Sequence, residues 1–101
     1  MKKTQLEIPL NEIFQLAIRH QLKELALFGS ILSDSFGPES DVDVLIEFLP
    51  DANASLFDLV DIEDELKALF GREVDIVEKT GLKNPFRRRA ILSSYKVIYA
   101  A

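Results

Sequence analysis

At 101 residues and 48% hydrophobic content, the chain can fill one modest core and is expected to form a single domain over residues 1–101. It contains no cysteine, which excludes a disulfide framework or a thiolate metal site and suits a reducing cytoplasm. A net charge of −5 argues against direct nucleic-acid binding. Neither a run of about 18 apolar residues nor a signal-peptide core is present, so a soluble, cytoplasmic protein with no membrane contact is expected.

Leu10, Ile13, Phe14, Ala17 and Ile18 recur at helical spacing, which predicts an amphipathic helix over residues 10–20, packed on a sheet through those side chains. His20, the only histidine, falls at its C-terminal end, where the dipole favours a cation, and reads as a surface cap. Residues 25–28 are too short for a helix and too apolar for a loop, so they read as a buried strand ended by Gly29. Gly29 permits a tight turn and close backbone approach, and Ser30 supplies a hydroxyl at the start of a helical turn through Ile31 and Leu32. A strand, a glycine turn and a helix N-terminus leave N–H groups pointing outward, a ready site for phosphate.

Residues 35–40, which include Gly37 and Pro38, read as a loop, and residues 42–48 as the next strand. Side chains two apart on a strand share a face, so Asp41 and Asp43 project together while Val42, Val44 and Ile46 face the other way. Paired carboxylates repel unless a cation lies between them. Mg²⁺ is the usual cation when the substrate is a phosphate. Ser40, directly before the acid pair, joins Gly29 and Ser30 as a candidate nucleotide-binding residue.

After a turn-rich connection over residues 50–54, Ser55 can cap a helix, with Asp58 placed as in a capping box. Leu59, Ile62, Leu66, Leu69 and Phe70 form its buried stripe, and Gly71 ends it; the acids Asp58, Asp61, Glu63, Asp64 and Glu65 read mainly as a solvated face. Residues 73–78 read as a third strand with Asp75 at its centre. A carboxylate among strand apolars is costly to bury unless it is paired or binds metal, so Asp75 is either a third site carboxylate or a solvated residue on an edge strand. A helix over residues 85–94 would face Phe86, Ala90 and Ile91 inward and Arg87 and Arg88 outward. The run Arg87-Arg88-Arg89 is either a solvated face or a contact to nucleotide phosphate or an acidic partner. Tyr95 and Tyr99 read as packing residues around a last strand over 97–99. The order predicts a small α/β (α+β) domain: a mixed sheet of about four strands with helices mainly on one face.

Gly29-Ser30, ten residues, then Asp41-x-Asp43 resembles the signature of the nucleotidyltransferase superfamily of DNA polymerase β type. The short chain and the wording FGSIL followed by SDVDVLIEF are similar to its minimal nucleotidyltransferase branch, whose members pair with HEPN toxins. The likeness continues through Gly71-Arg72-Glu73-Val74-Asp75-Ile76-Val77 and residues 82–99, and so covers most of the chain. The resemblance implies the polymerase β-like fold, ATP as substrate, and two Mg²⁺ ions held by Asp41, Asp43 and Asp75, which would also be the catalytic residues. It further implies transfer of AMP to a tyrosine hydroxyl of a HEPN ribonuclease toxin, which makes the chain an antitoxin.

The chain departs from the branch at Ser33, where relatives often carry arginine in a Gly-Ser-x-x-Arg pattern. That departure keeps a second class of function open, a binding module that neutralises the HEPN partner by complex formation. A nucleotidyltransferase for a small hydroxylated molecule is a third reading, disfavoured by the lack of a substrate-holding domain. Strand edges and a small core are compatible with a homo- or hetero-oligomer.

Overall fold

The computed structural model describes residues 8–101. Helix α1 (Leu10–Arg19) leads into strand β1 (Leu22–Phe28), and a 3-10 turn (Gly29–Leu32) and a loop connect it to β2 (Val42–Phe48). Helix α2 (Leu56–Phe70), strand β3 (Val74–Glu78), a second 3-10 turn (Lys79–Gly81), helix α3 (Pro85–Leu92) and strand β4 (Lys96–Ala100) follow. Among the described residues no helix is long and apolar enough to cross a membrane.

The strands form one mixed sheet in the order β3-β2-β1-β4. The β2–β3 pair is parallel and the other two pairs are antiparallel. A parallel pair needs a long connection to return the chain to the same end of the sheet, and α2 supplies it. Helices α1 and α2 cover one face, where Ile13, Leu16, Ala17, Ile62, Leu66 and Phe70 are buried with sheet residues such as Leu25, Leu27, Val42, Val44 and Ile46. Helix α3 lies on the other face over a smaller cluster of Ala26, Phe28, Leu45, Leu82 and Ile91. Residues 25–28 of β1 and 44–46 of β2 are therefore buried on both faces, which explains their apolar runs.

The ends of α2 follow from local chemistry. The Ser55 N–H donates to Asp58 Oδ2 at 2.7 Å, the acid's half of the expected box. Gly71 stops the helix in the left-handed region at φ 69°.

Three expectations need correction. Helix α1 packs through Ile13, Leu16 and Ala17, while Leu10, Phe14 and Ile18 stay exposed. These last three form a second apolar row beside the contact line, and Phe14 leans on Tyr99 of the edge strand β4, with ring centroids 5.8 Å apart. In α3 only Ile91 is buried, and Phe86 is 84% exposed. An eight-residue helix crossing a sheet meets it along one short line; here Ile91 lies on that line, and Leu82, from the segment before the helix, joins the same cluster.

His20 caps the C-terminus of α1 as expected, its N–H donating to Leu16 O at 3.0 Å, but its side chain does not lie on the surface. Its side chain is 11% exposed, with Nε2 2.9 Å from Glu65 Oε2, and Arg19 Nη1 stands 2.8 Å from Glu65 Oε1. Burial pushes the Glu65 carboxyl up, but the hydrogen bonds from His20 and Arg19 outweigh it and hold the carboxyl below its ordinary value. The pair ties the end of α1 to α2.

Candidate active site

The site forms where β1 ends and β2 begins. Antiparallel pairing sets Phe28 opposite Asp43, so the turn leaving β1 meets the strand that carries the acids. Gly29 adopts φ 79°, and a β-carbon on it would overlap Asp43 Oδ2. Glycine is needed there for both the backbone angle and the space. The Gly29 turn and the Asp43 carboxylate are thus one packed unit.

The parallel register of β2 and β3 places Asp75 directly beside Asp43, and Asp41 stands two residues before Asp43. Burial first, then the Asp75 and Asp41 carboxylates, push the Asp43 carboxyl above its ordinary value, against a smaller opposing pull from Arg87. Asp75 is exposed on an edge strand, so the burial cost expected for it is absent; the strand register alone brings it to Asp43.

Among the described residues none of the three carboxylates is hydrogen-bonded or ion-paired. No group of three or more Asp, Glu, His or Cys side chains closes tightly enough among those residues to hold an ion by itself. The free carboxylates and the repulsion felt at Asp43 fit Mg²⁺, which binds through one or two carboxylates and completes its shell with water and phosphate oxygens.

The loop between turn and acids is braced from both ends. Ser33 closes the turn: its N–H and its hydroxyl donate to Ser30 O at 2.9 and 3.0 Å, and Ser33 Oγ also accepts from the Ser35 N–H. The Ser30 hydroxyl has no partner among the described residues and is available to a ligand. Ser40 Oγ accepts from the Gly37 N–H at 2.9 Å, so its oxygen closes the loop while its proton can still be donated.

Arg72 is the residue that sequence reasoning passed over. Its Nη1 donates to Gly37 O and Ser40 O, both at 2.9 Å, and its guanidinium lies 4.6 Å over the buried Phe36 ring. It fastens the residues just before Asp41 to the entry of β3. The available signal was its position between the cap Gly71 and a strand that must lie beside β2.

Residues 10–98 match the nucleotidyltransferase domain family. Protein adenylyltransferase MntA of Thermococcus cleftensis is 36% identical to the chain over 70 residues, 69% of each protein. A solved minimal nucleotidyltransferase superposes with a TM-score of 0.70 at 28% identity, covering 85% of both chains. A toxin–antitoxin structure with AMP-PNP superposes with a TM-score of 0.74, covering 93% of this chain and 75% of the other. At 17% identity that last likeness is one of fold alone. By the span of the family match and the identity to its relative, the chain belongs to the nucleotidyltransferase domain family.

Proposed function

We propose that this chain is a Mg²⁺-dependent protein adenylyltransferase of the cytoplasm, built as one domain. It moves AMP from ATP to a tyrosine hydroxyl of a HEPN-type ribonuclease and silences it as an antitoxin. The observation that carries the reading is the juxtaposition of the Gly29 turn, Asp43 and Asp75 through two strand registers. The name of the Thermococcus relative, and the fold shared with a toxin–antitoxin structure solved with AMP-PNP, support it.

Asp41, Asp43 and Asp75 are the metal-binding and catalytic residues. The Gly29 N–H and the free Ser30 hydroxyl meet the distal phosphates of ATP, and Ser40 contributes its hydroxyl proton to the nucleotide. Mg²⁺, when bound, supplies neutralising charge to the triphosphate. The acceptor oxygen attacks the α-phosphorus in line, the bond from that phosphorus to the α,β-bridging oxygen breaks, and pyrophosphate leaves. Asp75, the exposed carboxylate, takes the acceptor's proton. The residues contribute positioning and charge, as is general in phosphoryl transfer.

The binding-module alternative drew on Ser33. Ser33 and Arg72 together brace the loop from both ends, which supports a site kept in order for chemistry. The test incubates the chain and a HEPN-type partner with ATP labelled at either the α- or the γ-phosphate. Label from the α position alone should appear on the partner, and should be lost with Asp41→Asn. Label from the γ position would mean phosphorylation, and a stable complex without label would favour the binding module.

A further inference from the structure

Positive charge is unevenly placed in this chain. Six of its twelve Lys and Arg residues follow Glu78, and none of its 17 Asp and Glu residues does. The segment that follows Glu78 crosses the face of the sheet bearing the three carboxylates. There Ile91 of α3 packs with Ala26, Phe28 and Leu45, and Phe28 is the register partner of Asp43.

Two of those six cations are already committed. Lys79 Nζ stands 3.5 Å from Glu24 and 3.8 Å from Glu47. Arg88 Nη1 donates to Lys79 O at 3.3 Å. Arg89 lines a groove with Pro85, Arg88, Leu92 and Ser93.

Arg87 differs from all of these. It sits four residues before Ile91, one turn along the same side of α3, the side that meets the sheet. Among the described residues its guanidinium makes no hydrogen bond or ion pair, and it is the one cation there whose charge lowers the Asp43 carboxyl. An arginine on the helix that covers the carboxylate-bearing face, paired with no acid there, is placed for a ligand that reaches Asp43 carrying several negative oxygens. A polyphosphate has that chemistry, and the planar guanidinium fork suits it.

We propose that Arg87 binds the β- and γ-phosphates of the nucleotide and so completes the triphosphate site from the α3 side. The assignment rests on the nucleotidyltransferase reading of the same site. Its structural cost is small, because Arg87 is exposed and packs against nothing in the core.

The experiment is calorimetric titration of the intact chain with α,β-methylene-ATP, which cannot give up AMP, and separately with AMP, both in Mg²⁺. Arg87→Ala should bind the triphosphate analogue about 10- to 100-fold more weakly, the range expected for a lost charged hydrogen bond. AMP affinity and melting temperature should not change. Arg87→Lys should recover part of the loss, and Arg89→Ala should match the wild type.

Unchanged analogue affinity in Arg87→Ala would overturn the assignment. So would an equal loss for AMP and the analogue, or unchanged nucleotide binding with a weakened complex with the protein partner, which would make Arg87 a docking residue. A wild-type chain that binds no analogue would overturn the nucleotidyltransferase reading itself, and the two failures are thereby distinguished.

Discussion

The Gly29 backbone lies against the Asp43 carboxylate so closely that a β-carbon at residue 29 would overlap Oδ2. Gly29→Ala must therefore either displace Asp43 or shift the turn, and it also places a side chain at φ 79°. The backbone strain alone costs about 1–2 kcal/mol. AMP transfer should fall by roughly 100-fold or more, since misplacing a reacting group by about an ångström has that effect. Transfer assays paired with thermal melts check this, and near-normal transfer would show that the contact has no role in catalysis.

Asp43 carries its charge at a cost in the metal-free protein. Its carboxyl is raised above 3.8 by burial and by the neighbouring carboxylates. The folded state therefore holds that proton more tightly than the unfolded state, and stability declines as pH rises through the carboxylate range. Asp43→Asn should melt higher than wild type at pH 7 in EDTA, and the difference should vanish in acid. The same variant should lose AMP transfer by orders of magnitude. A lower melting temperature would mean that the carboxylate has a structural partner.

Arg72 holds the loop that delivers Asp41. Arg72→Ala removes two hydrogen bonds to loop carbonyls and the stacking on Phe36. Urea unfolding should register a loss of about 1–3 kcal/mol. Hydrogen exchange should show the Ser40 N–H, bonded to Gly37 O, opening faster while the centre of β2 stays protected. Uniform loss of protection across the sheet would assign Arg72 to global stability instead.

Glu65 makes the α1–α2 tie dependent on pH. Its carboxyl is lowered below 4.5 in the folded state, so its contribution is fully present above 4.5 and is lost as pH falls through the lowered value. Glu65→Gln should be less stable than wild type at neutral pH, and the gap should close in acid. A gap that persists at low pH would point to packing of the side chain rather than its charge.

What the chain discloses in advance is what is local. The turn at Gly29, the α2 caps at Ser55 and Gly71, and β2 each follow from neighbours within a few residues, and all stand where expected. Strand β1 starts at Leu22, earlier than its apolar run suggests, because Lys23 and Glu24 interrupt the pattern while pairing with β2 and β4 continues. Contacts made across the fold were not legible. The His20–Glu65 pair and the Arg72 bonds to Gly37 and Ser40 join residues far apart in sequence, and no spacing rule signals them. Helix α3 departs from its expected inward face at Phe86 and Ala90 because eight residues hold too few turns for periodicity to choose a face.

The most direct measurement is the intact mass of a purified HEPN-type partner after incubation with this chain, ATP and Mg²⁺. The account predicts a gain of one or more AMP units, mapped to tyrosine, and no gain with Asp43→Asn. An unmodified partner, or a gain that survives Asp43→Asn, would contradict it.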